Sequence, residues 1–206
     1  MAKLRFYFGT MGAGKSTMAL QIHHNLSQAA PGLLLTKHDR EGAAVSSALG
    51  VSARAHTIGD HDDVCAKIES EARACGGLEF AICDEAQFYS RRQIDQLVAV
   101  VDRLGIDVYA FGLLTDFRGQ LFEGTARLLE MADERNELQV QSRCWCGELA
   151  THNARLVDGT QVFEGDVVLV DDGREAAVTY ELKCRRHWMS GESAARQAMA
   201  EGLRAV

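Results

Sequence analysis

The largely apolar run Leu4 to Phe8 passes without a break into Gly9, Thr10, Met11, Gly12, Ala13, Gly14, Lys15, Ser16 and Thr17, so a glycine-spaced turn stands where a strand hands over to a helix. The spacing G-x-x-x-x-G-K-[ST] matters because glycines tolerate positive φ and close approach, which lets successive backbone N–H groups curl around polyphosphate oxygens. In such a loop Lys15 reaches the β- and γ-phosphates and Ser16 offers its hydroxyl to Mg²⁺. The helix that starts near Ser16 turns its positive end toward the anion. A chance glycine turn is the plain alternative, but strand, loop and helix come in the order the motif requires. Residues Gly9 to Thr17 are therefore assigned to ATP.

Downstream, the chain reads as alternating strands and helices. Ser16 to Gln28 predicts a helix that ends before Ala30, Pro31 and Gly32; Leu33 to Thr36 predicts a strand buried on both faces, followed by the polar segment Lys37 to Gly42. A weak strand at Ala53 to Thr57 precedes a helix over Asp62 to Ala74, with Asp60 or His61 near its N-cap. Leu78 to Cys83 is the next strand, Arg91 to Leu104 the next helix and Ile106 to Phe111 a further strand, which leads into the glycine-bracketed loop Gly112 to Gly119. Such alternation implies an α/β fold with a mainly parallel sheet, P-loop NTPase-like, whose ligands bind at the carboxyl ends of the strands. Near Glu137 the pattern changes to short strands, cysteines and turns, including the turn at Val157 to Gly159 and a stretch from Val162 to Val170; an alanine-rich helix over Glu192 to Leu203 closes the chain. The expected division is a nucleotide-binding domain over 1–140, a small zinc-binding domain over 141–190 and a terminal helix over 191–206.

The strand at Leu78 to Cys83 ends abruptly in two acids, Asp84 and Glu85, followed by Ala86, Gln87 and Phe88. In a P-loop protein an aspartate at the end of a buried strand is where Mg²⁺ is held, so Ser16 and Asp84 are the candidate Mg²⁺ ligands. Glu85, one residue further, could accept the proton of an attacking hydroxyl as a γ-phosphoryl is transferred, which makes it the candidate general base. The plain alternative has both acids capping a strand end or pairing with cations. Asp84, Glu85, Ala86 and Gln87 join the loop as the ATP site. Lys37, Arg40 and Arg118 lie in loops that could face it, and the sequence does not rank them.

At 206 residues and 47% hydrophobic composition the chain can bury a sizeable core. A net charge of −7 argues against broad nucleic-acid binding, which needs clustered Lys and Arg. No apolar stretch approaches the roughly 20 residues that span a bilayer, and the start of the chain does not read as a signal peptide, so the expected location is the cytoplasm. There the six cysteines point to metal or chemistry rather than disulfides. Cys144 and Cys146 form one compact pair, Cys184 and His187 another; together they make a Cys₃His site suited to structural Zn²⁺, unless His187 is a surface histidine and the cysteines pack apolar. Cys65, Cys75 and Cys83 are expected to be packing residues.

Three motifs in register resemble the type II thymidine kinase family, which joins a P-loop domain to a zinc-bearing lasso domain. The family loop G-P-M-x-S-G-K-[ST] is similar to G-T-M-G-A-G-K-S over Gly9 to Ser16, D-E-[AG]-Q-F appears at Asp84 to Phe88, and G-L-D-x-x-F resembles Gly112 to Phe117. The cysteine pairs follow in order, with Tyr180 four residues before Cys184. The resemblance implies transfer of the ATP γ-phosphoryl to the 5′-hydroxyl of thymidine, with Glu85 as base and Mg²⁺ on the phosphates. It also implies that Phe117 stacks near the thymine, that Tyr180 contacts the nucleoside and that Val167, Val168, Leu169, Val170 and Asp171 give backbone hydrogen bonds to the base. A homotetramer and inhibition by the end-product triphosphate are further expectations. Thr10, Gly12, Ala13 and Leu114 depart from the family pattern, which bears on loop rigidity rather than on the phosphate site. A P-loop ATPase whose zinc ribbon binds nucleic acid is the alternative from another class, although it would want a basic ribbon and the segment from 144 to 190 carries Asp158, Glu164, Asp166, Asp171 and Asp172.

Overall fold

The structure, a computed structural model, describes residues 1–37, 44–167 and 177–193. Arg40, Val168, Leu169, Val170 and Asp171 lie outside the described residues, as does nearly all of the helix expected over Glu192 to Leu203. In chain order the strands are β1 (Leu4–Phe8), β2 (Gly32–Thr36), β3 (Ala44–Ser46), β4 (Ser52–Arg54), β5 (His56–Thr57), β6 (Phe80–Asp84), β7 (Asp107–Gly112), β8 (Glu134–Glu137), β9 (His152–Val157), β10 (Thr160–Val162) and β11 (Val178–Lys183). The helices are α1 (Lys15–Leu26), α2 (Val64–Cys75), α3 (Arg91–Ala99), α4 (Glu123–Met131) and α5 (Arg185–Ser190). A 3₁₀ turn covers Ala86–Phe88.

The chain forms two compact units, one of Met1–Leu114 with Phe122–Leu138, the other of Thr115–Leu121 with Gln139–Val206. In the first, a six-stranded sheet has the order β5-β2-β6-β7-β1-β8, and every pairing in it is parallel. Alternation along each strand sends side chains to opposite faces. Leu4, Phe6, Leu33, Leu35, Ala81, Cys83, Val108 and Ala110 build one core with Ile68 of α2, Ile94 and Leu97 of α3 and Leu128 of α4. Leu34, Phe80, Ile82 and Phe111 build the other with Ala19 and Leu20 of α1. Strands buried on both faces read as continuous apolar runs, which is why β2 and β6 were legible. In the second unit, β10-β9-β11 is an antiparallel sheet. The expected turn after Val157 is a two-residue hairpin with Asp158 and Gly159 at φ +49° and +75°, the left-handed pair such a connection demands.

The differences from the sequence reading have local causes. The weak strand over Ala53 to Thr57 is two pieces: β4 pairs with β3 in a separate hairpin, and β5 joins the main sheet beside β2. The N-cap of α2 is Asp63, whose Oδ1 accepts from the Ala66 N–H at 2.9 Å, not Asp60 or His61. The helix beginning at Arg91 holds its α form to Ala99 and runs on as a π-helical turn over Val100–Leu104, stopped by Gly105 at φ +69°. Helix α4, strand β8 and the short helix α5 had not been expected. Cys83 is fully buried in β6 and its thiol is pushed up to about 12 by burial, whereas Cys75 at the end of α2 is exposed and so does not pack as expected.

Candidate active site and metal centre

The turn after β1 has the geometry its glycines allow. Gly14, the N-cap of α1, stands at φ +76°, in the left-handed region where a Cβ is strained, and Gly12 at φ +68° does likewise. Lys15 folds over the loop, its Nζ donating to the carbonyl oxygens of Thr10 at 2.8 Å and Gly9 at 3.4 Å. Burial holds its pKa below the usual lysine range, opposed by the charges of Glu85 and Asp84. An ammonium drawn out of water and facing two acids is placed to bind phosphate oxygens strongly.

Asp84 ends β6 in register with Thr36 of β2, and it is 4% exposed. Its carboxylate accepts a hydrogen bond from the Ser16 side chain, so the two candidate Mg²⁺ ligands, one at the start of α1 and the other at the end of β6, meet. An oxygen-donor pair of this kind, one hydroxyl and one carboxylate, suits a hard divalent ion that keeps its remaining positions for water and phosphate. Burial, and after it the charge of Glu85, push the Asp84 carboxyl up to about 6; the hydrogen bond from Ser16 and the charge of Lys15 pull the other way.

This shift has a measurable consequence. The native pKa lies above that of an unfolded aspartate, near 3.8, so the native state holds the proton where the unfolded chain has released it. Stability from this group is present below pH of about 3.8 and is lost as pH rises through about 6. In nucleotide-free, Mg²⁺-free protein, the urea midpoint of the wild type relative to Asp84→Asn is expected to fall across that window. Parallel curves would mean that Asp84 is not desolvated.

Glu85 follows at φ +55°, a left-handed conformation rare for a residue with a Cβ. The surroundings hold it there. Gln87, 1% exposed, donates through Nε2 to Glu85 Oε2 and accepts through Oε1 from the Leu113 N–H at 3.1 Å, just past β7. Gly124 of α4 presses against the turn so closely that a Cβ there would lie 2.5 Å from Tyr89 O, 2.6 Å from Ala86 O and 2.9 Å from Gln87 O. Thr125 Oγ1 ties the same helix to Leu113 O at 2.6 Å. Gln87, assigned with the loop to ATP, thus has its side-chain amide engaged in bracing Glu85. The role of Gly124 was not legible, because a glycine in the first turn of an unexpected helix signals nothing by itself.

Of the loop cations, Lys37 is 2% exposed, and its Nζ lies 3.0 Å from both Gln93 Oε1 and Asp60 Oδ1, which ties the end of β2 to α3. Arg118 closes back on its own loop, with Nε 2.8 Å and Nη2 2.7 Å from Asp116 Oδ2.

In the second unit Cys144, Cys146, Cys184 and His187 bring their ligand atoms within 4.8 Å of one another. His187 Nδ1 lies 3.4 Å from Cys144 Sγ and 3.4 Å from Cys184 Sγ, and Cys146 Sγ is 4.0 Å from Cys184 Sγ. Tetrahedral zinc with Zn–S of about 2.3 Å places its donors roughly 3.5–3.8 Å apart, so the pairs at 3.4 and 4.0 Å lie near that spacing, and three thiols with one imidazole are a donor set the ion takes. The backbone N–H of His187 is the chief cause holding the Cys184 thiol below its usual range. Trp145 stacks on His187 with ring centroids 4.1 Å apart.

Of the residues carried over for the nucleoside, Phe117, Tyr180 and Val167 converge on a residue that the sequence reading did not single out. The Arg155 guanidinium lies 3.7 Å from the Phe117 ring centroid, and its Nε donates to Tyr180 Oη at 3.0 Å. Its Nη2 donates to Val167 O at 2.8 Å and Nη1 to Asp166 O at 2.5 Å. A lone arginine in a strand gives no motif, so only topology could reveal it.

A parallel sheet bearing this loop, with a buried aspartate and a braced glutamate one strand-end away, defines a P-loop nucleotide-binding enzyme of the phosphotransferase kind. The sequence model of the thymidine kinase family matches residues 2–188. The chain is 48% identical over 191 residues to the thymidine kinase of Streptomyces coelicolor, covering 91% of this chain and 88% of that protein. To that of Cutibacterium acnes it is 49% identical over 194 residues, covering 93% and 90%, and to that of Jannaschia sp. 40% over 193 residues, covering 91% and 95%. The chain belongs to the thymidine kinase family. Among solved structures, the likeness to the crystal structure of Pif1 helicase from Candida albicans has a TM-score of 0.43 at 18% identity, over 66% of this chain and 36% of that one, and at that level nothing about activity follows from it.

Proposed function

We propose that this chain transfers the γ-phosphoryl of ATP to the 5′-hydroxyl of thymidine, giving dTMP and ADP. The observation that carries the reading is the meeting of Ser16 with Asp84, beside Lys15 and the braced Glu85, in a chain of this family. The loop N–H groups and Lys15 grip the β- and γ-phosphates. Mg²⁺, when held by Ser16 and Asp84, neutralises charge on those oxygens. Glu85 takes the proton of the 5′-hydroxyl, the freed oxygen bonds to the γ-phosphorus, and the bond from that phosphorus to the ADP oxygen breaks with its electron pair leaving on ADP. The nucleoside is received by Phe117, Tyr180 and the segment Val167 to Asp171, with Zn²⁺ at Cys144, Cys146, Cys184 and His187 holding the fold of that part of the chain. The division at 140/141, assembly as a homotetramer, inhibition by the end-product triphosphate and a cytoplasmic location belong to the same proposal. Among the described residues, no helix is long and apolar enough to cross a membrane.

The test is an assay with ATP, Mg²⁺ and each deoxynucleoside in turn, following the 5′-monophosphate. Strong turnover with thymidine, weak turnover with purines and no stimulation by DNA are expected. Deoxyuridine should trail thymidine by no more than about two-hundredfold, since one methyl group is worth roughly 1–3 kcal/mol. ATP hydrolysis stimulated by a polynucleotide, without nucleoside phosphorylation, would instead favour a zinc-ribbon ATPase.

A further inference from the structure

We infer that Arg155 is a positioning residue for the nucleoside, setting the geometry of Phe117, Tyr180 and Val167 together; this rests on the reading of those three as nucleoside-binding residues. Arg155 comes from β9, the central strand of the small sheet, and is 3% exposed. A buried guanidinium must spend its donors, and this one spends them on three acceptors: Tyr180 Oη, Asp166 O and Val167 O. Its flat face covers Phe117 at 3.7 Å, a cation–π contact away from bulk water. Among the described residues its charge is met by hydrogen-bond acceptors, two peptide carbonyls and a phenol oxygen.

Each contact fixes something that a bound nucleoside would read. Because the Arg155 Nε–H occupies a lone pair of Tyr180 Oη, the hydroxyl proton is left to donate elsewhere; Tyr180 is 40% exposed. Because Asp166 C=O is turned onto Arg155, the planar trans peptide directs the Val167 N–H the opposite way. Phe117, held from above by the guanidinium, is held from its backbone by Trp188 Nε1, which donates to Phe117 O at 3.1 Å. One side chain thereby sets a ring, a hydroxyl and a peptide in mutual register. A lysine in its place could keep the charge but not the planar fork, since its ammonium is a point donor that cannot serve three acceptors in those directions while lying flat on a ring.

The experiment compares wild type with Arg155→Lys for zinc content, KM for ATP, KM for thymidine and kcat. Expected for the variant are one zinc per chain, a KM for ATP within twofold of wild type and a KM for thymidine raised at least tenfold with a smaller change in kcat. An unchanged thymidine KM would overturn the inference, as would a fall in zinc content with parallel changes for both substrates, the mark of a merely structural arginine. If Arg155→Lys does not accumulate as a zinc-loaded chain, Arg155→Gln, whose planar amide keeps two N–H donors without the charge or the full fork, carries the test. A three- to tenfold rise in thymidine KM then supports the inference, and no rise overturns it. Wild type that phosphorylates no nucleoside would remove the proposed function and this inference together; an active wild type with an indifferent variant would remove this inference alone.

Discussion

Glu85→Gln is expected to lower kcat by about 10²–10⁴-fold, the range general-base removal produces, while leaving the affinity for ATP within a small factor of wild type. The substitution is nearly isosteric, and the new amide oxygen still accepts from Gln87 Nε2, so the brace that runs from Glu85 through Gln87 to the Leu113 N–H survives. What is lost is a basic oxygen. A second readout follows from electrostatics: the charge of Glu85 is the second cause, after burial, that pushes the Asp84 carboxyl up to about 6, so its removal should bring Asp84 down. In the proposed mechanism ATP affinity and rate therefore separate, because it assigns the phosphate contacts to Lys15 and the loop and deprotonation of the acceptor to Glu85. A kcat within threefold of wild type, with the nucleotide bound normally, would take Glu85 out of the base role and leave Mg²⁺ and positioning to carry the reaction.

What could be read from the chain and what could not divide along a physical line. The loop, the strand-end acids and the cysteine pairs are local: each needs residue types at fixed offsets, and those offsets are what the backbone turn, the strand end and the metal demand. Strands buried on both faces were equally plain, since β2 and β6 carry the unbroken apolar runs Leu33 to Leu35 and Phe80 to Cys83. Helix α4 escaped because it opens with Glu123 and Gly124, and the reason for that glycine is three carbonyls contributed by a turn far away in sequence. Arg155, Trp188 and the bracing role of Gln87 escaped for the same reason. Each acts through partners that only the tertiary fold brings near, Arg155 through an aromatic ring on a loop 38 positions earlier. The departures from the family loop illustrate the reverse: Gly12, where the family carries a bulkier residue, stands at φ +68°, a conformation that glycine enters at no steric cost.

Removing zinc should cost more than any single side chain outside the phosphate site. Structural zinc of the Cys₃His kind contributes on the order of 10 kcal/mol to the small domain that holds it, and among its described residues the second unit buries few apolar side chains to fall back on. The path from the Cys/His cluster to Phe117, a residue of the proposed nucleoside site, is short. His187 belongs to the proposed zinc cluster; the next residue, Trp188, donates through Nε1 to Phe117 O at 3.1 Å and stacks on His152 with centroids 4.8 Å apart. Gly119 of the Phe117 loop lies so near the Trp188 indole that a Cβ there would come within 2.7 Å of it. When α5 loses its anchor, Trp188 moves, and Phe117 loses the hydrogen bond that fixes its backbone under Arg155. Chelation under reducing conditions, or Cys146→Ser, is thus expected to release one zinc per chain, lower the Tm by at least about 10 °C and abolish thymidine phosphorylation. The first unit, with two cores of its own and a loop braced from within, should still bind an ATP analogue. Returning Zn²⁺ to the chelated wild type should restore turnover. A chain that keeps full thymidine turnover after its zinc has gone would show that Trp188 and Phe117 hold their places without the metal, and the link from Cys144 to the nucleoside would have to be abandoned.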